Sequence, residues 1–117
     1  DGISIGHKDT DNVFLRNVIT GNARIGLLFR DEPEPLGAHR NRFEKNVILD
    51  NGSGKPDESP VVIRGTHHDL VFRNNRIGFT NPSAKPLPAI LTNAKSKQLD
   101  AKQNEFPNVK QPIRKQD

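Results

Sequence analysis

Apolar residues along this chain come in short clusters rather than long runs, and the clusters recur. Asn17, Asn46, Asn75 and Asn104 stand at a constant interval of 29 residues (46−17, 75−46 and 104−75). Each lies in the same apolar frame, with Phe14, Phe43, Phe72 and Ala101 three residues before it and Ile19, Ile48, Ile77 and Phe106 two residues after it. A period kept with its flanking pattern over four copies marks a repeat protein. A second apolar segment precedes each frame: Gly2-Ile3-Ser4-Ile5, Gly26-Leu27-Leu28-Phe29, Pro60-Val61-Val62-Ile63 and Pro88-Ala89-Ile90-Leu91. These have strand length and open on Gly or Pro. Taking alternate residues as inward stacks Ile3/Ile5, Leu27/Phe29, Val61/Ile63 and Ala89/Leu91, and leaves Ser4, Leu28, Val62 and Ile90 outward. Such a contiguous apolar stripe either is covered by protein or floors a cleft. Cover is the expectation, with residues 30–40 as the covering segment.

A second strand runs through Val13-Phe14-Leu15 and its equivalents, and a third follows each asparagine. Three short strands per repeat, joined by corners, describe one coil of a parallel β-helix. The asparagine suits a corner for two reasons: it tolerates left-handed backbone, and its amide can bond the amides stacked above and below. A helical solenoid fits poorly, because the apolar residues alternate and the chain holds nine Gly and nine Pro. The fold predicted is therefore all-β, a right-handed parallel β-helix of about four coils over residues 1–109, with a tail at 110–117; the hand rests on the right-handedness of parallel crossovers and on the resemblance described below. Loop lengths vary at residues 30–40, 51–59 and 80–86, and such insertions usually build the binding face of a repeat fold.

Composition supports thin layers over a large globular core: 117 residues are 32% hydrophobic, and six Phe are the only aromatics. Nothing in the first strand pattern resembles a polar capping repeat, so the chain is expected to be a portion of a longer β-helix, with upstream coils as its neighbours. With no cysteine there is neither a disulfide framework nor a thiolate metal site. The formal charge of +4 is concentrated late, since residues 94–117 hold six Lys/Arg against three Asp/Glu. That basic stretch reads as a solvated terminus. No stacking aromatic accompanies Lys95, Lys97, Lys102 or Lys110 except Phe106, which the repeat assigns to the core, so a nucleic-acid partner is not expected. No membrane-spanning run is present.

The run Val71-Phe72-Arg73-Asn74-Asn75-Arg76-Ile77 resembles coils of right-handed parallel β-helix proteins of the pectate lyase-like superfamily, and the likeness extends over residues 2–109. Residues 1–12, Asp-Gly-Ile-Ser-Ile-Gly-His-Lys-Asp-Thr-Asp-Asn, are similar to a segment of bacterial β-helix proteins of unassigned function, many of them secreted. The resemblance implies an extracellular or periplasmic protein and a polysaccharide or oligosaccharide partner. It does not choose among lyases, hydrolases, epimerases and adhesins. The paired aspartates and Gly-His-Gly turn of the superfamily's hydrolases are missing, because Lys8 follows Gly6-His7 and no Asp-Asp pair is present.

Candidate chemistry gathers after the first strand of each coil. Arg30 and Arg64 fall one coil apart in the outward alignment, near His7, Lys8 and Asp9. Guanidiniums so spaced can grip the carboxylates of an acidic glycan, which makes Lys8, Arg30 and Arg64 the substrate-binding candidates. The competing reading pairs each Arg with a local acid such as Asp31 or Glu32. His7 and His68 are general acid/base candidates, since imidazole titrates near neutrality, and with Arg30 and Arg64 they complete the catalytic candidates. Adjacent His67 and His68 point to opposite sides of a strand and cannot share one metal. Asp9 and Asp11 could contribute oxygen to a Ca²⁺ site, the one cofactor the residues suggest; alternatively they bond amides of their own turn. Two functions follow as expectations. The first is a secreted carbohydrate-active β-helix protein, a polysaccharide lyase or glycoside hydrolase acting on an acidic glycan. The second is a non-catalytic scaffold or glycan-binding module.

Overall fold

A computed structural model describes residues 1–82 and 86–116. Among the described residues the structure is all-β apart from one 3-10 turn at Glu34–Leu36, and the strand pairings are parallel. The strands form three sheets. Sheet A orders β1 (Ile3–Ile5), β4 (Leu27–Phe29), β7 (Val61–Ile63), β10 (Ile90–Asn93) and β12 (Ile113–Gln116). Sheet B orders β2 (Val13–Leu15), β5 (Arg42–Glu44), β8 (His68–Arg73) and β11 (Lys97–Asp100). Sheet C orders β3 (Val18–Thr20), β6 (Val47–Leu49) and β9 (Arg76–Gly78). The chain visits A, B and C in turn and returns one layer further on, which is the plan of a β-helix-like solenoid. Among the described residues no helix is long and apolar enough to cross a membrane.

The corners work differently from the expectation. Asn17, Asn46, Asn75 and Asn104 are not the left-handed residues; the residues just before them are, with φ of 54° at Arg16, 56° at Lys45, 56° at Asn74 and 61° at Gln103. The asparagine contributes its amide instead. Asn75 Oδ1 accepts from both the backbone N–H (2.9 Å) and the Nδ2 (3.0 Å) of Asn46, and Asn75 Nδ2 donates to the Phe43 carbonyl (2.9 Å). Asn46 treats Asn17 in the same way, and Asn104 so treats Asn75. The corners five residues to either side repeat the device over two layers, with Asn41 accepting from Asn12 N–H and Asn51 from Asn22 N–H and Nδ2. Left-handed residues again precede them: Asp11 and Arg40, Gly21 and Asp50. In the first two layers a side of sheet B or C is thus three strand residues plus a two-residue corner.

Inside this frame the apolar residues stack on their own kind. Phe14, Phe43 and Phe72 lie ring on ring at 4.5 and 4.8 Å, and Phe29 meets Phe43 edge-on. Ile19, Ile48 and Ile77 are buried beside them.

Sheet A corrects the fourth coil by one residue. Ile90 pairs with Val61 and Leu91 with Val62, so Ile90 enters the main core and Leu91 turns outward. The alignment on Pro60 and Pro88 spans 28 residues (88−60), whereas the Asn-fixed layer spans 29 (90−61). The outward stripe is therefore Leu28, Val62 and Leu91, and it is buried, at 7%, 2% and 2% exposure, with Ile25 packed against it. Residues 30–40 are held elsewhere: the Leu36 carbonyl accepts from Lys8 N–H, and Glu32 O from Thr66 N–H, so the segment bridges the corners of layers one and three. Gly65 makes that approach feasible, since at φ 75° a Cβ would collide with the Glu32 backbone. Within the expected tail, Ile113–Gln116 runs alongside Ile90–Asn93 as β12. Of the variable loop at 80–86, residues 83–85 lie outside the described residues.

Removing a rung should cost far more than removing an exposed pair between layers. Asn75→Ala leaves the buried Asn46 N–H without an acceptor and should lower stability by about 2–3 kcal/mol, whereas Arg76→Ala, which breaks the exposed pair with Glu105, should cost under about 1 kcal/mol; urea unfolding of both measures the difference.

Candidate functional site

The outer face of sheet A ends in a cleft of about 350 Å³ between its third and fourth layers. Its floor is Val62 and Leu91, and Thr92, Asn93 and Gln116 carry it across the sheet. Arg64 and Lys95 supply cations, and Asp31 and Asp57 supply carboxylates. The cleft needs the corrected register: Val62 and Leu91 are neighbours there, while Asn93, not Thr92, follows Arg64. Asn93 is itself braced, its Nδ2 donating to Ile63 O and Gly65 O and its Oδ1 accepting from Lys95 N–H and Ser96 N–H. That brace fixes where Lys95 leaves the backbone.

The sequence candidates divide between this cleft and the neighbouring corner. Arg64 lines the cleft, and Arg30 does not. Although their backbones are in register (Arg64 N–H to Phe29 O, 3.0 Å), the Arg30 side chain turns to the first layer, donating to Ser4 Oγ at 3.1 Å and standing 3.9 Å from Asp9 Oδ2. His7 and Lys8 sit in a left-handed turn (φ 48° and 68°), and His7 Nδ1 lies 3.8 Å from Glu32. Asp9 Oδ2 accepts from Gly6 N–H at 3.0 Å within that turn. Asp11 is gripped by Arg40 through Nε (2.8 Å) and Nη2 (3.0 Å), which holds its carboxyl below the usual range. The two aspartates therefore have separate partners.

The histidines are brought together in a way residue spacing could have revealed, since 68−39 is one period of 29. His39 and His68 stack face to face at 3.7 Å. His68 Nδ1 bonds Asp69 Oδ2 at 2.7 Å, and its Nε2 is 3.6 Å from Glu34 Oε1. His67 points the other way, fully buried against Phe29. Its Nδ1 accepts from Ala38 N–H (2.9 Å) and its Nε2 donates to Arg30 O (2.9 Å), so the neutral ring closes the corner as the asparagines close theirs. Burial lowers its pKa, partly offset by the carbonyls of Arg30 and Arg64.

No family model, curated protein or solved structure gives a match to this chain. The site's chemistry is accordingly argued from its own geometry.

His67 sets a pH dependence with a definite sign. Its folded pKa lies below the ordinary 6.5, so the unfolded chain binds the proton more readily; the contribution is complete above pH 6.5 and is lost as pH falls through the folded value. Urea midpoints of the wild type should fall as pH is lowered below about 6.5, and the fall should be smaller in His67→Gln, which retains the other three histidines.

Proposed function

We propose that this protein is a secreted, carbohydrate-active β-helix protein of the pectate lyase-like kind, and that it takes an acidic glycan in the sheet A cleft. What carries the reading is one juxtaposition: over the buried Val62 and Leu91, two cations (Arg64, Lys95), two carboxylates (Asp31, Asp57) and two amides (Asn93, Gln116) line one cleft. Each sugar hydroxyl both donates and accepts, and a cleft that holds both kinds of partner suits it. Arg64 and Lys95 would meet a uronate carboxylate, and Asp31 and Asp57 would accept from hydroxyls. The cleft's charges balance, so affinity would come from direct pairing rather than from a long-range field. His7, Lys8 and Arg30 stand at the neighbouring corner, where a longer chain could reach them. Whether the bound chain is also cleaved, as by a lyase or hydrolase, divides this reading from that of a glycan-binding scaffold.

The finer architecture belongs to the same proposal: a right-handed helix of about four coils, the hand following the usual sense of parallel crossovers, continuing into upstream coils. One feature of the first layer supports the continuation. Among the described residues Oδ1 of Asn12, Asn17 and Asn22 accepts no hydrogen bond, whereas the equivalent atoms of Asn41, Asn46 and Asn51 accept from the layer above.

Calorimetry with polygalacturonate and with alginate tests the glycan reading, with neutral dextran as the control. Arg64→Ala and Lys95→Ala should each weaken binding about 10- to 100-fold, the value of a charge-assisted hydrogen bond, with unfolding unchanged. Unsaturated or shortened products would establish the enzyme; binding without products would establish the scaffold. An absence of binding to both acidic polymers would overturn the proposal.

A further inference from the structure

We propose that Glu34, His39 and His68 form a binding site for a Zn²⁺-class divalent metal ion, separate from the sheet A cleft. One ligand atom from each lies within 4.8 Å of the others. Glu34 Oε1 stands 3.8 Å from His39 Nε2 and 3.6 Å from His68 Nε2. In a tetrahedral site with bonds near 2.1 Å, neighbouring ligand atoms are about 3.4 Å apart, so these two separations need only a few tenths of an ångström of contraction. Two imidazoles and a carboxylate suit Zn²⁺, Ni²⁺ or Cu²⁺, whereas Ca²⁺ and Mg²⁺ take oxygen alone.

His68 already has the state a ligand requires. Asp69, itself in a left-handed corner (φ 58°), turns its carboxylate back onto its neighbour, where Oδ2 accepts a hydrogen bond from the Nδ1–H tautomer at 2.7 Å. That leaves the Nε2 lone pair free on the side of Glu34, the carboxylate–histidine arrangement that orients metal ligands and raises their basicity. His39 has to change. Its Nε2–H donates to the Glu34 carbonyl at 2.7 Å, and its Nδ1 accepts from His68 N–H at 3.2 Å. Ligation through Nε2 moves the proton to Nδ1 and gives up both of these bonds, which the metal–nitrogen bond has to offset. It also turns the two stacked rings, at present 15° apart in plane, so that their lone pairs converge. The backbone supports the site on both sides: Arg40 N–H bonds His68 O at 2.9 Å, and Glu34 begins the 3-10 turn. Glu34 is 61% exposed, which gives the ion a way in.

Titrating the intact protein with Zn²⁺, and with Co²⁺ for its visible spectrum, tests the site. The expected result is one ion per chain, a four-coordinate Co²⁺ spectrum and a shift of the His68 backbone amide resonance. Glu34→Gln and His68→Ala should weaken binding at least about tenfold, and Asp69→Asn about tenfold through loss of the outer partner. His39→Gln should weaken it comparably, while His7→Ala should leave it unchanged. Glu34 and Asp69 are surface groups whose exchange leaves the corner intact, so a folding failure of the His39 variant would not hide the answer. Absence of stoichiometric binding, or binding that survives Glu34→Gln and His68→Ala, would overturn the site. So would affinity indifferent to a folded His39→Gln.

Discussion

The structure depends on one hydrogen-bonded unit: a corner amide whose oxygen takes two N–H groups from the layer above while its nitrogen returns to a carbonyl of that layer. At each corner the backbone leaves one sheet before joining the next, and its N–H would otherwise be buried without a partner. Such a group costs about 1–3 kcal/mol, and a solenoid repeats the cost at every corner of every layer. Asn75 is fully buried and meets that need with its side chain. The unit also holds the preceding residue left-handed, a conformation that costs Arg16, Lys45 and Gln103 about 1–2 kcal/mol each and that only an over-determined surrounding maintains.

Once the amides fix the layer interval, the rest of the layer must repeat or be compensated. Residues directly above one another are 29 apart in sheets B and C, so inward positions repeat as Phe on Phe and Ile on Ile. Outward positions are free to carry charge, and several pair between layers: Arg40 with Asp11, Arg76 with Glu105, and Arg73 with Asp100. Such pairs contribute little stability each, but the two in register, Arg40 with Asp11 and Arg76 with Glu105, disfavour a slipped layer, while Arg73 reaches Asp100 diagonally.

Sheet architecture was legible in the sequence because both of its determinants are periodic. The Asn–Phe–Ile frame located sheets B and C and their cores. Two features escaped for physical reasons. The left-handed residue of each corner varies in type, since hydrogen bonds rather than intrinsic preference hold it there, so Arg16 or Lys45 gives no compositional signal. The fourth strand of sheet A was misaligned because Pro60 and Pro88 looked equivalent, although a Pro that opens a strand marks a boundary without fixing a register. The cleft was out of reach for the same reason: with Ile90 facing outward, Val62 and Leu91 would not share a floor. The spacing of His39 and His68 was visible, but it acquires chemical meaning only when Glu34 is brought to them by a loop that belongs to no repeat.

That loop shows where this fold can place function. Sheets B and C are joined by two-residue corners (15 to 18, 44 to 47, 73 to 76) that leave no room for insertion. Equivalent positions in sheet A are separated by 24, 34 and 29 residues (27−3, 61−27, 90−61), so the variation in length falls on the connections entering and leaving that sheet. Asp57 comes from an entering connection; Asp31 and Glu34 come from a leaving one; Arg64 and Lys95 lie just past strand ends. The cleft's charged groups are therefore carried on the margins of sheet A, and the histidine cluster forms where a connection leaving that sheet meets the start of β8 in sheet B, while the strands and amides between stay fixed. A layer can gain or lose a ligand at these margins without disturbing the interval that holds the stack together.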